Sequence, residues 1–295
     1  HNAFIAKRYR RISEYPNIFS HVLGYTSRSD DAFKSMPEIP RSHWRDAELV
    51  YAHGLIKGRT GLEEIYEDHL SGSPGKRVYE INARGKLVQS LSLIEPLQGS
   101  DLYTNLDIEA QKSAAKFLGN RRGAVVAIDL DSGGINVLYS SPTYSINQLS
   151  NGMNENDFQT LITDSDKPFF NRALQGIYPP ASTIKPAIGM YGLSNSIVNW
   201  DFEMKDPGFF KLPETGRIFR GWRKGGHGKV NMHKAFLVSS NTYFFSLAYQ
   251  ADIEKLSNHL SSLGFGKKVC MDCYDEDQAL VPTPEWKYSC LLYTS

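Results

Sequence analysis

Cysteine is scarce in this chain, with three in 295 residues: Cys270, Cys273 and Cys290. Three cannot form a structural disulfide framework. Cys270 and Cys273 have the spacing of half a zinc site, and Asp272, Asp275, Glu276 and Asp277 lie close, but no second ligand pair follows. They read as two chance cysteines on a strand-to-loop segment, with no metal. Long apolar runs are missing too. No stretch approaches the roughly 20 apolar residues of a membrane span, and the opening residues do not form a signal peptide. Nor is there an excess of one charge: Lys and Arg number 33 against 32 Asp and Glu, a formal charge of +1. No large field favours nucleic acid, so the clusters Lys7-Arg8-Tyr9-Arg10-Arg11 and Arg220-Gly221-Trp222-Arg223-Lys224 read as solvated faces. What is present, 41% hydrophobic and 22% charged residues, fits one or two folded domains with real cores. The chain reads as soluble and, beginning at His1 without an initiator, as a piece of something longer.

Residues 1–95 are irregular and polar. Short apolar-periodic pieces at 49–56 and 62–70 read as helices, and 72–75 as a turn cluster. Over 77–92, Tyr79 and Ile81, then Leu87 and Leu91, flank Asn82-Ala83-Arg84-Gly85, which signals a hairpin. A second unit begins near Asp101. Asp107 is placed to cap a helix over 108–118 that Gly119 ends. The runs 123–129 and 135–139 form a strand pair around Asp131-Ser132-Gly133-Gly134, and the continuous apolar character of the first predicts a central strand covered on both faces. After Ile184 the pattern turns helical at 186–193, 232–239, 242–250 and 253–263, with no further strong strand pair. One hairpin followed by helices alone is an incomplete sheet, so the chain is expected to stop early.

The most informative run is Ile177-Tyr178-Pro179-Pro180-Ala181-Ser182-Thr183-Ile184-Lys185-Pro186. Two prolines favour an extended approach followed by a turn, with the first helical residues just beyond. Ser182 and Lys185, three apart at a helix start, then share one face and can touch. A serine hydroxyl is a poor nucleophile at neutral pH, and a lysine serves as its base once burial or a neighbouring cation pulls its pKa below roughly 10.4. Free N–H groups of the first turn would also stabilise an oxyanion. A capping serine beside an exposed lysine is the bland alternative. Ser239-Ser240-Asn241, at the break between 233–238 and 242–250, supplies a hydroxyl and an amide able to relay a proton and hold a substrate carbonyl; alone it reads equally well as a helix cap.

Ser-x-x-Lys and Ser-x-Asn belong to the signature set of penicillin-binding proteins and class A β-lactamases. With Gly61-Leu62-Glu63 and Tyr66, Asn105-Leu106-Asp107-Ile108-Glu109-Ala110-Gln111, Gly123-Ala124-Val125-Val126-Ala127-Ile128-Asp129, Asp206-Pro207-Gly208-Phe209, Gly225-Gly226-His227-Gly228 and Ser239-Ser240-Asn241-Thr242-Tyr243-Phe244-Phe245 in order, the chain resembles the class B penicillin-binding proteins of the elongation type. The resemblance runs from about Tyr15 to Lys287. It implies an α+β fold: a mixed pedestal domain over 1–95, then, over 96–295, an incomplete serine β-lactamase/transpeptidase-like domain, an antiparallel sheet with a helical subdomain whose C-terminal part is missing.

The resemblance further implies a peptidoglycan D,D-transpeptidase. Ser182 would attack the D-Ala-D-Ala carbonyl of a stem peptide, Lys185 would be the general base, Ser239 would pass protons and Asn241 would hold substrate and lysine. β-Lactams would acylate Ser182. Partners would be peptidoglycan stem peptides and elongation-complex membrane proteins, including a glycosyltransferase, at the bacterial inner membrane, with a single-pass anchor (absent here) and a periplasmic body. The family's Lys-Ser/Thr-Gly triplet, and the strand supplying a second oxyanion donor, have no match. Losing such a donor costs about 3 to 4 kcal/mol, so the expectation is a nucleophile with little turnover, in a fragment prone to aggregate. Cys270 and Cys273 depart from the family pattern, and the tail after Cys290 resembles nothing in it. Some relatives bind zinc near the active site through aspartates, a histidine and a cysteine. Asp206 and His227 match two of these, Gly221 stands where a second aspartate is expected, and no cysteine matches; His227 reads as a tight-turn residue, with no cofactor. Two other readings stay open: a β-lactamase or penicillin sensor, against which the long first unit and Gly61-Leu62-Glu63 weigh, and a non-catalytic interaction fragment.

Overall fold

The computed structural model describes residues 11–28, 56–73, 76–82, 87–95, 97–273 and 275–292. The chain forms two compact units, His1–Gly176 with Met271–Glu276, and Ile177–Cys270 with Asp277–Ser295. Helix and sheet are mixed throughout, as an α+β fold requires. No helix among the described residues is long and apolar enough to cross a membrane.

In the first unit the helices are α1 (Ser20–Leu23), α2 (Gly61–Ile65), α3 (Glu67–Leu70), α4 (Ile108–Leu118), α5 (Ile146–Asn151) and α6 (Glu155–Thr163). The strands pair antiparallel: β1 (Thr26–Arg28) with β2 (Ile56–Gly58), β3 (Lys76–Ile81) with β4 (Leu87–Ile94), and β5 (Gly123–Ile128) with β6 (Ile135–Ser141). The hairpin expected over 77–92 is β3–β4, with register shifts between Val78 and Tyr79 and between Glu80 and Ile81. Its connecting residues 83–86, residues 49–55 of the helix expected over 49–56 and residues 7–10 of the basic cluster over 7–11 lie outside the described residues, and Ile56 opens β2 rather than ending a helix. The single helix expected over 62–70 is two, α2 and α3, because Tyr66 leaves helical geometry at φ −103° and ψ 24°.

Helix α4 follows its sequence signals. The Asp107 side chain accepts from the N–H of Ala110 at 2.9 Å, and Gly119 ends the helix at φ +55°. Its inner face packs Ala110, Ala114, Ala115 and Leu118 on Val125, Val137 and Tyr139. The expectation of a central β5 covered on both faces is corrected here. Residues from Val137 to Ser141 of β6 are buried, whereas Val126 and Ile128 of β5 are about half exposed. An apolar run announces a strand, but the placement of α4 decides which of the two strands is covered.

Gln111 explains how β6 tolerates that burial. This fully buried side chain accepts from the N–H of Leu138 at 3.0 Å and donates to its C=O at 2.8 Å and to the C=O of Ile18 at 3.2 Å. It satisfies strand groups that would otherwise be buried bare. Gln111→Leu keeps the size and strips these partners, so it is expected to lower stability by about 2 kcal/mol. Urea unfolding of the variant checks this; an unchanged midpoint would contradict it.

The second unit holds a 3-10 turn over Ala181–Ile184 and helices α7 (Lys185–Ser194), α8 (Met232–Leu237), α9 (Asn241–Gln250), α10 (Ile253–Ser262) and α11 (Pro284–Leu292). Two short antiparallel pairs were missed in the sequence: β7 (Met204–Asp206) with β10 (Gly228–Val230), and β8 (Phe209–Lys211) with β9 (Ile218–Arg220). Strands of three residues are too short to show alternation. The core is Val198, Val230, Met232, Ala235, Tyr243, Phe244 and Leu247, with Ile188, Leu193, Ile197 and Met204 packed around it. It joins α7, α8 and α9, whose ends carry the chemistry-bearing residues: Lys185 opens α7, Ser239 follows α8 and Asn241 opens α9.

Candidate active site

The 3-10 turn carries Ser182 and runs straight into α7, whose first residue is Lys185. Ser182 is exposed and Lys185 is buried, at 7% exposure. Ser239 lies in the break between α8 and α9, and Asn241 opens α9. These four side chains form one network. Lys185 Nζ donates to Asn241 Oδ1 at 2.7 Å and to Ser239 Oγ and the Ser239 carbonyl at 2.9 Å each. Ser239 Oγ donates to Ser182 Oγ at 2.9 Å.

This arrangement differs in one respect from the sequence expectation of a direct contact. Lys185 directs its three donors to Ser239 and Asn241, and Ser239 is the hydroxyl that meets Ser182. The difference arises because the serine sits in a tighter turn than the lysine, while the α8–α9 break brings Ser239 between them. Burial of Lys185 disfavours its charged form and lowers its pKa. The ammonium also lies 5.5 Å from the Phe244 ring centroid, a cation–π contact that limits how far the charge is destabilised.

Two residues here hold left-handed backbone without being glycine: Ala181 at φ +50°, just before Ser182, and Ser239 at φ +51°. Such conformations cost of order 1 kcal/mol and persist where surrounding contacts over-determine them. The Ser239 N–H donates to the Phe236 carbonyl at 3.1 Å, the Trp222 indole donates to the Val238 carbonyl at 3.0 Å, and the next residue, Ser240, is fully buried.

Ser240 leads to a second cluster. Its hydroxyl donates to Asp206 Oδ2 at 2.7 Å, His227 Nδ1 lies 2.8 Å from the same oxygen, and the Gly208 N–H donates to Asp206 Oδ1 at 2.7 Å. Burial alone would raise the Asp206 pKa; hydrogen bonds from His227, Ser240 and the Gly208 N–H overcome it and hold the carboxyl down at about 2. Zinc, which the sequence argued against here, is weighed against these donors. Both carboxylate oxygens are already engaged, Ser240 offers a neutral hydroxyl, and Gly221 has no side chain. Cys270 and Cys273, read as unconnected in the sequence, are disulfide-bonded and supply no thiolate; Cys290 is exposed. His227 Nε2 is buried and makes no hydrogen bond, a free ligand atom, but among the described residues no third Cys, His, Asp or Glu gathers with Asp206 and His227, so the set falls short of a four-coordinate zinc. Sequence reading noticed Asp206 and His227 but missed the role of Ser240, whose signal was its place at the centre of Ser239-Ser240-Asn241.

Residues 123–294 match the family described as penicillin binding protein transpeptidase domain, and residues 2–104 match the penicillin-binding protein dimerisation domain. The chain belongs to the penicillin-binding protein transpeptidase family. Among its relatives, the peptidoglycan D,D-transpeptidase MrdA of Acinetobacter baumannii is 42% identical over 275 residues, 92% of this chain and 40% of that protein. MrdA of Escherichia coli K12 is 35% identical over 94% of this chain and 43% of its own length. The chain thus spans about two fifths of the curated relatives it matches. Among solved structures, penicillin-binding protein 2 of Pseudomonas aeruginosa in complex with WCK 5153 superposes with a TM-score of 0.77 at 30% identity, covering 96% of this chain and 58% of that one. Penicillin-binding protein 2 of Helicobacter pylori in complex with MreC gives 0.80 at 31%, covering 96% and 50%. The resemblance read from the ordered motifs therefore holds for family and fold.

Proposed function

We propose that this penicillin-binding protein segment carries the acylation half of a peptidoglycan D,D-transpeptidase site, and that β-lactams acylate it at the same serine. The observation that carries this is the continuous path from Ser182 Oγ through Ser239 Oγ to Lys185 Nζ, closed by Asn241. With Lys185 charged, the hydrogen bonds run outward from the ammonium toward Ser182. Once Lys185 loses a proton, its lone pair accepts from Ser239, and Ser239 accepts from Ser182, so the hydroxyl proton moves to the lysine as Ser182 Oγ bonds the substrate carbonyl. The same path in reverse delivers that proton to the departing D-Ala amine, leaving an acyl-enzyme. Asn241 keeps Lys185 in place throughout and presents an amide to the substrate backbone.

The proposal extends to the whole protein. On this reading residues 1–95 are the pedestal and 96–295 the transpeptidase domain; the family matches over 2–104 and 123–294 support two such domains in this order, the first running past residue 95. The acceptor is a second stem peptide, the setting is the periplasmic face of the bacterial inner membrane, and the partners are membrane proteins of wall elongation, including a glycosyltransferase. Two relatives support this: the Helicobacter pylori protein complexed with MreC, and a structure described as coordinating polymerization and crosslinking in a peptidoglycan synthase complex, with a TM-score of 0.75 at 25% identity. No Lys-Ser-Gly or Lys-Thr-Gly triplet occurs in these residues.

The test is incubation with a fluorescent penicillin, followed by intact mass and peptide mapping. The expected result is one covalent adduct per chain, on the peptide that contains Ser182. A folded sample with no adduct, or an adduct elsewhere, would sink the reading.

A further inference from the structure

The left-handed backbone at Ser239 needs an anchor, because both residues that hold Lys185 flank a single buried side chain, Ser240. That side chain has both of its hydrogen-bonding roles filled. It accepts from the Tyr243 N–H at 3.3 Å, capping α9, and it donates to Asp206 Oδ2 at 2.7 Å. An acceptor that is ionised makes the stronger bond, and Asp206 is such an acceptor in a site where its own exposure is 2%. His227, whose side chain is 5% exposed, shares the same oxygen and meets the Trp222 ring at a 53° tilt, 5.3 Å between centroids. Trp222 in turn bonds the Val238 carbonyl, so the loop that carries His227 grips both sides of Ser239.

Two glycines make the close approach possible. At Gly226, φ +73°, a Cβ would lie 2.1 Å from the Asp206 carbonyl oxygen, and at Gly208, φ +88°, it would lie 2.7 Å from the Arg223 carbonyl oxygen. Any other residue at either position would push the His227 loop off Asp206. The loop is therefore built to deliver His227 to the carboxylate.

We propose that Asp206, oriented by His227, is the positioning residue of this site: through Ser240 it fixes the main chain from which Ser239 and Asn241 hold Lys185, by hydrogen bonds alone and without a metal. This rests on the acylation reading above. Asp206 touches neither substrate nor Ser182 in this role; it acts on the geometry of the lysine. An asparagine at 206 keeps the size but cannot accept at both oxygens, so one of Ser240, His227 and Gly208 loses its partner.

The test uses the whole chain and resolves penicillin acylation into its binding constant and its first-order acylation constant. Asp206→Asn is expected to lower the acylation constant about 30-fold with binding within about threefold. Ser240→Ala is expected to lower it about tenfold, and Ser240→Thr, which keeps the hydroxyl, to restore it to within about threefold. After equilibration with zinc and desalting, atomic emission should find well under one zinc per chain, and a chelator should leave the acylation constant unchanged. The proposal is overturned if Asp206→Asn acylates at the rate of the unmutated chain, if Ser240→Ala and Ser240→Thr behave alike, or if one zinc per chain is held and then lost in His227→Ala. Should Asp206→Asn fail to fold, the Ser240 pair decides. No adduct from the unmutated chain would remove the acylation reading and the proposal with it, whereas an adduct formed equally fast in the variants overturns the proposal alone.

Discussion

Lys185→Ala is expected to lower penicillin acylation by roughly a thousandfold, and Ser182→Ala to abolish the adduct. In the proposed mechanism the lysine is the terminus of the proton path, so without it Ser239 Oγ would have no base behind it. Lys185→Arg is expected to fail as well, since a guanidinium does not give up its proton. The pH dependence follows from the direction of the Lys185 shift. Its neutral form is the competent one, so acylation rises with pH and is lost as pH falls through the lysine's pKa. Burial lowers that pKa, so the inflection falls below the ordinary lysine value. Stopped-flow acylation across pH checks this. A flat profile, or Lys185→Ala within tenfold of the unmutated chain, would show that another group takes the proton.

Leu247→Ala is expected to cost about 3 kcal/mol of stability in the unit that holds the site. Leu247 is 1% exposed at the centre of the core formed with Val230, Met232, Ala235, Tyr243 and Phe244. It also sets the distance between two helices. A Cβ placed on Gly192 of α7 would lie 2.6 Å from Leu247 Cδ1 and 3.1 Å from its Cγ, so α7 and α9 touch here through a glycine. These are the helices that begin with Lys185 and Asn241. Gly192→Val should therefore part them, reducing acylation together with stability, while Leu247→Ala leaves a cavity. Chemical denaturation of both variants measures the losses. A cost under about 1 kcal/mol for Leu247→Ala would mean that the core closes over the gap.

Much of the local structure was legible in the chain. Asp107 and Gly119 bracket α4 because a carboxylate accepts from free N–H groups and a glycine adopts the left-handed stop without penalty. The period of apolar residues announced α7, α9 and α10 nearly to their ends, and the two runs around Asp131-Ser132-Gly133-Gly134 announced β5 and β6. The short strands β7 to β10 were invisible, since three residues carry too little alternation to stand out from loop.

By itself the sequence determined α4 with its caps, α7 to α10, the β5–β6 pair and the order of Ser182, Lys185, Ser239 and Asn241, because these depend on neighbours within a turn or on residue type; α1, α5, α6 and α11 were not read from it. Tertiary structure alone decided the rest. Which strand of β5 and β6 is buried depends on where α4 lies. That Lys185 bonds Ser239 and Asn241, with Ser239 standing between it and Ser182, depends on residues more than fifty positions apart meeting through a common core. Asp206 and His227 join only because Gly208 and Gly226 let two loops close to within contact. Such pairings are made by packing, which no local pattern in the chain records.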